Sequence, residues 1–171
     1  MSKNIQYEVR ILAKINVLED NFQLSDMDTK VFAYGFVTTS LAVSVMENFL
    51  GRYGLSMGEF SMLWHLKGAK NELNLKQVKE NTLIYSGASI TKVADKLVHK
   101  GFITRRENPA SRREKLVKIT PSGSKLCGKV LGDSKKVYAG FFKGLSGTDK
   151  RSLLDYYKTV FVNVLGFQGE G

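Results

Sequence analysis

A mainly α-helical fold carrying one small β-hairpin is predicted for this 171-residue chain by three observations. Apolar residues recur at helical spacing along most of its length, Ser/Thr-x-x-Asp/Glu boxes stand ahead of several of those runs, and the period falls to about two only past Gly101. An apolar content of 43% is ordinary for a globular protein, and the length suits one medium domain or a small domain with helical extensions.

The elements follow in order. Residues 5–18 form an amphipathic segment, with Ile5, Val9, Leu12 and Ile15 at helical spacing. Ser25 with Asp28 predicts the start of a helix whose stripe is Val37, Leu41, Val45 and Phe49. Ser56 with Glu59 predicts a second, carrying Phe60, Leu63, Trp64 and, more weakly, Lys67. After the loop "GAKNE" a short helix is expected over Leu75–Glu80. Ser86-Gly87 opens another, with Ile90, Val93, Ala94, Leu97 and Val98 facing inward and Gly101 closing it. "FITRRE" and "EKLVKIT" flank the turn Asn108-Pro109-Ala110-Ser111 and read as a β-hairpin. Thr120-Pro121 then starts a long helix, proline being suited to the first helical position, with a stripe of Leu126, Val130, Val137, Tyr138, Phe141, Phe142 and Leu145. Ser146 with Asp149 caps the last, which carries Leu153, Leu154, Tyr157, Val160, Phe161, Val164 and Leu165. There is no internal repeat and no low-complexity segment.

The net charge is +10 and the pI about 9.7, which suits nucleic acid, an anionic membrane surface or an acidic protein partner. The charge is concentrated. Residues 86–120 hold nine of the 26 Lys and Arg residues against Asp95, Glu107 and Glu114, and so carry +6 of the +10, as a binding footprint would. Within that stretch Arg105-Arg106 and Arg112-Arg113 stand on either side of one turn. Four guanidinium groups so crowded repel, unless a polyanion or a carboxylate network offsets them.

Other classes are excluded by what the chain does not offer. One cysteine, Cys127, makes neither an intramolecular disulfide nor a cysteine zinc site, and His65 and His99 are too few for a metal cluster, so no metal and no cofactor are expected. Cys127 lies between Lys125 and Lys129, but residues two apart share no helix face, so a buried, unreactive thiol is expected. No Ser/His/Asp, paired-carboxylate or phosphate-loop constellation appears, so the protein is not expected to be an enzyme. No apolar run reaches the ~20 residues of a membrane span, and a soluble, cytoplasmic, nucleoid-associated protein is expected, without membrane partners.

The order helix, turn, short helix, turn, helix, hairpin is that of a winged helix-turn-helix, placed at residues 55–122 between N-terminal helices at 1–54 and C-terminal helices at 123–171. Its reading helix would enter the major groove of double-stranded DNA with Ser86, Ala88, Ser89, Thr91, Lys92, Asp95 and Lys96 outward. His99 at its end suits a phosphate contact or a cap on the last carbonyls. The wing would add Arg105, Arg106, Arg112, Arg113 and Lys115, lying along the phosphates or entering the minor groove. The flanking stripes, with Phe141, Phe142, Tyr157 and Phe161, exceed what a lone module of about 65 residues could cover, and a homodimer interface accounts for them.

The stretch "SGASITKVADKLVHKGFITRRENPASRREKLVKITPSG" and the segment "LSMGEFSMLWHL" resemble the MarR family of transcription regulators over more than a third of the chain. The resemblance implies an obligate homodimer with intertwined terminal helices, its two winged domains on palindromic half-sites. It implies a sequence-specific regulator, a repressor relieved by a small-molecule or other signal; an architectural DNA binder without sequence preference is the alternative. Family members often take small aromatic compounds between the dimer helices and the winged domain. Phe32, Tyr34, Phe36, Trp64 and His65 would line that pocket, although Trp64 and His65 read first as core residues. Where the family has Asp-x-Arg at the wing this chain has Ser111-Arg112-Arg113, which removes a tethering carboxylate and predicts a looser wing. Residues 5–18 are similar to the N-terminal extension of the urate-responsive subgroup, whose ligand tryptophan has no counterpart here, so urate is not carried over.

Overall fold

The computed structural model describes Val17 and residues 26–80, 90–109 and 111–169. Its elements are α1 (Met27–Gly51), α2 (Met57–Gly68), β1 (Leu73–Asn74), α3 (Leu75–Glu80), α4 (Ile90–His99), β2 (Ile103–Asn108), β3 (Ser111–Ile119), α5 (Pro121–Phe141) and α6 (Gly147–Gly169). They fall into two compact units, Met1–Met57 and Gly58–Gly171. The amphipathic segment over residues 5–18 lies, but for Val17, outside the described residues, as does Ser25.

In the first unit α1 begins at Asp26 rather than at Ser25. The Asp26 carboxylate accepts the Thr29 N–H at 2.8 Å and the Thr29 hydroxyl at 2.7 Å, and these bonds hold its carboxyl below the ordinary range. The helix ends where Gly54, at φ +66°, takes the left-handed conformation; Leu55 N–H then reaches back to Leu50 O and Gly54 N–H to Gly51 O. Of the expected stripe only Phe49 is buried, stacking at a tilt on Tyr53, whereas Leu41 and Val45 are exposed. The buried set is Ala33, Met46, Phe49 and Leu50. By length and composition alone α1 would suffice to cross a bilayer, which the sequence reading did not anticipate. A helix apolar over so much of its circumference must be covered by something.

The second unit carries a core of Phe60, Met62, Leu63, Leu66, Val78, Ala94, Leu97, Ile103, Val117, Cys127 and Val130. Full burial of a side chain such as Met62, Leu63 or Ile103 contributes about 1.5–3 kcal/mol each. The sheet is antiparallel with the order β1-β3-β2. Its hairpin is tighter than expected: Asn108 pairs with Ser111, so Ser111 belongs to β3 and only Pro109 and Ala110 lie between the strands. β1 was not foreseen. It pairs Leu73 with Val117 and Asn74 with Leu116, closing the sheet on the side away from β2.

α4 ends as its sequence predicts. Gly101 adopts φ +71°, Phe102 N–H reaches Leu97 O at 2.9 Å and Gly101 N–H reaches Val98 O at 2.9 Å, a paired closure that satisfies two terminal carbonyls. Val98, expected inward, is exposed. α5 starts with Thr120 as cap, its hydroxyl accepting the Gly123 N–H at 3.0 Å, and Pro121 in the first turn. A Cβ on Gly123 would stand 2.1 Å from the Phe102 carbonyl oxygen, so this glycine lets α5 approach the end of α4. The buried face of α5 is Gly123, Cys127, Val130 and Ser134, while Tyr138, Phe141, Phe142 and Leu145 of the expected stripe are exposed. α6 has the predicted reciprocal cap, Ser146 N–H donating to Asp149 Oδ2 at 2.9 Å and Asp149 N–H to Ser146 Oγ at 3.2 Å. Its stripe is out of the core: Leu154, Tyr157, Val160, Phe161 and Val164 are all at least half exposed.

Candidate nucleic-acid interface

α4 is placed by its apolar side. Ala94 and Leu97 are fully buried, which turns Thr91, Lys92, Lys96 and His99 outward at helical spacing on the opposite side. Ser86, Ala88 and Ser89, the other predicted readers, lie outside the described residues. The end of the helix is tied to α2. Lys100 Nζ, just past its last turn, donates to Glu59 Oε1 of α2 at 2.5 Å, and Glu59 is only 3% exposed. A carboxylate so buried demands such a partner, because an ion left alone in the core costs several kcal/mol, on the order of 3 to 5.

The four arginines do not share the wing tip. Arg105 and Arg106 sit on β2 opposite Val117 and Leu116, and each is engaged inside the domain. Arg105 donates to Asp95 Oδ1 of α4 at 2.6 Å, and Arg106 grips Glu72 through Nε, at 2.9 and 3.2 Å, and through Nη2. The Arg106 hydrogen bond holds the Glu72 carboxyl below its ordinary value. For this first pair the offset to crowding is thus a carboxylate network, supplied by Asp95 and Glu72. Arg112 and Arg113 lie in β3 next to the turn; their side chains are outside the described set. Lys115, more exposed, lies 3.4 Å from Glu107 across the hairpin.

Glu114 answers the expectation of a loose wing. Its Oε2 accepts the side-chain amides of Asn74 at 3.0 Å and Asn108 at 3.2 Å, so a carboxylate three residues past Ser111 makes a tether. Asn74, Leu75, Thr91, Arg105, Glu114 and Lys115 line a cleft of about 340 Å³ between the reading helix and the wing. Glu59, Glu72, Asn74 and Glu114 were not singled out as site residues from sequence, because each acts through a partner 6 to 41 residues away.

The predicted pocket residues fall on two helices, Phe32, Tyr34 and Phe36 on α1 and Trp64 and His65 on α2. Phe32 and Phe36, both exposed, stack on each other at 6.2 Å in α1, and Trp64 stacks on Phe60 at 6.2 Å in α2. Trp64 is 55% exposed, which corrects its assignment to the core; His65 is half-buried. Cys127 is fully buried, and burial pushes its thiol above the ordinary value against the opposing influence of Lys67. Among the described residues no cluster of three or more His, Cys, Asp or Glu could hold a metal.

A helix-turn-helix followed by a wing, with cations on the outer side of its last helix, defines the class: a winged helix-turn-helix protein. Residues 55–115 match the model of the MarR family. The chain is 29% identical over 125 residues to the HTH-type transcriptional regulator MhqR of Bacillus subtilis, spanning 73% of this chain and 85% of that protein. It is 31% identical over 85 residues to the multiple antibiotic resistance protein MarR of Salmonella typhimurium, spanning 48% of this chain and 56% of that one. Its fold is shared with a MarR-like transcription regulator from Bacillus cereus, at a TM-score of 0.71 and 15% identity over 80% of this chain and 96% of the other. It is shared too with a mutant MarR from E. coli complexed with operator DNA, at 0.66 and 21% over 80% and 99%. Over its winged domain the chain is thus similar to the MarR family of transcription regulators.

Proposed function

We propose that the protein is a homodimeric, sequence-specific DNA-binding transcription regulator of the cytoplasm and nucleoid, a repressor relieved by a small-molecule or other signal. The observation that carries this reading is the outer side of α4, where Thr91, Lys92, Lys96 and His99 are exposed together beside the wing. Lysines there neutralise phosphates and release counterions, while Thr91, with Ser86, Ala88 and Ser89 ahead of it, supplies small donors and close approach at base edges. Arg112, Arg113 and Lys115 act from the wing on the flanking backbone or minor groove.

The exposed apolar sides of α1 and α6 are covered by the same sides of a second copy in this reading, the terminal helices of 1–54 and 123–171 forming the dimer around two domains at 55–122. That arrangement sets a two-fold axis, and so a palindromic operator. A small aromatic effector between the helices, against Phe32, Phe36, Trp64 and His65, would change the separation of the two α4 helices. A coupling of about 1–3 kcal/mol suffices to empty an operator.

Selection of bound duplexes from a randomised DNA pool at about 150 mM salt tests the reading, because half-site spacing follows from the dimer. An enriched inverted repeat with half-sites about one helical turn apart is expected. Binding without enrichment would replace a sequence-specific regulator by an architectural DNA binder.

A further inference from the structure

One oxygen of Glu114 ties together all three strands of the sheet. Glu114 lies on β3, the central strand; its Oε2 accepts from Asn74 on β1 and from Asn108 on β2. Asn74 has a second role at the start of α3, where its Oδ1 accepts the Gln77 N–H at 2.8 Å and its own N–H donates to Gln77 Oε1 at 2.9 Å. Through that one amide the carboxylate connects the wing to the first turn of the helix-turn-helix. On the other side it meets the hairpin where the register shifts, between Glu107 and Asn108, the point at which ladder bonds least determine the twist of the strands.

The sign of its charge makes the placement informative. A carboxylate close to residues 112, 113 and 115 opposes a polyanion, so by Coulomb's law alone its removal would strengthen DNA binding. A group with that handicap aids binding only through what it holds in place. We propose that Glu114 is a positioning residue for DNA binding: its two amide bonds set the angle of the wing against α3 and α4, and thereby where residues 112–115 meet the duplex. This rests on the DNA-binding reading given above. Arg106 and Glu72 support the same geometry, bracing β2 against the residue that precedes β1.

The test uses the full chain, its Glu114→Ala and Glu114→Gln variants, and a mixed-sequence duplex of about 30 base pairs, long enough for two half-sites, in a salt titration. Hydrogen exchange of the free proteins is followed in parallel over Ile103–Asn108. Glu114→Ala is expected to weaken binding about tenfold despite its added positive charge, lower the salt slope as residues 112–115 lose phosphate contacts, and speed exchange in β2, since two hydrogen bonds to a charged acceptor are lost. Glu114→Gln, whose amide carbonyl can accept both asparagine amides, is expected to bind within about twofold of the parent. Equal or tighter binding by Glu114→Ala overturns the proposal, and so does a glutamine variant as weak as the alanine one. A parent chain that retards no duplex overturns the DNA-binding reading itself, and the positioning role with it, whatever the exchange shows.

Discussion

The winged domain and the last helix of this chain treat their apolar residues in opposite ways. From α2 to β3 the large aliphatic side chains are mostly inside, as Met62, Leu63, Leu97, Ile103 and Val117 are, and Arg105, Arg106 and Lys100 have carboxylates within reach. α6 instead exposes Tyr157, Val160, Phe161 and Val164 along one stripe while Lys158 and Asp155 pair beside them. Among the described residues the first region mostly buries its apolar side chains, while the second leaves a stripe with the composition of a core exposed. Folding and assembly are therefore separable here, and substitutions can address either.

The largest effect is expected from Phe161→Glu, which would place a charge in the middle of the apolar stripe of α6. Sedimentation equilibrium should show monomer where the proposed reading makes the parent a dimer, a loss above about 3 kcal/mol of association, with the winged domain still folded. A variant that stays dimeric would mean that α6 is not the interface. Gly123→Ala acts on the other region. With a methyl group forced against the Phe102 carbonyl, urea denaturation should register a loss of about 3 kcal/mol, at the upper end of overpacking costs. Next in size is the contrast between the two arginine pairs. Arg113→Ala should lower the slope of log K against log salt by about one and weaken binding to all duplexes alike. Arg106→Ala, which removes a cation bound to Glu72, should leave that slope nearly intact. Equal slopes for the two variants would erase the distinction between them.

The smallest effect concerns pH. Arg106 holds the folded-state pKa of Glu72 below its ordinary value of 4.5, so the unfolded chain binds that proton more readily. The contribution of this pair is therefore present above pH 4.5 and is lost as pH falls through the lower, folded value. A Glu72→Gln variant should show a flatter acid limb in its unfolding profile, and an unchanged limb would mean the pair is not formed in solution.

What could be read from the sequence was local. Gly101 announces a helix end because few other residues adopt its positive φ cheaply, and Thr120-Pro121 and Ser146 with Asp149 satisfy orphan amides within one turn. The hairpin showed in the change of period. β1 did not, since two residues have no period and become a strand only by lying against Val117 and Leu116. The cap of α1 moved from Ser25 to Asp26 because the two side chains offer much the same oxygen one position apart. Trp64 was assigned inward by its spacing, yet spacing reports which side of a helix is apolar and not what covers it. For the site, the cationic character of the stretch from α4 to β3 was visible, while the carboxylates that occupy Arg105 and Arg106 were not, Glu72 lying far from its partner in sequence.

The junction between α4 and α5 bears on how a signal would travel. Thr120 and Ser122 hydroxyls both donate to the Gly101 carbonyl, at 2.9 and 3.1 Å, and Thr120 N–H donates to Phe102 O at 3.0 Å, so the first turn of α5 is riveted to the last of α4. These bonds couple the orientation of the 21-residue α5 to that of α4, as a long arm is coupled to the crank it turns.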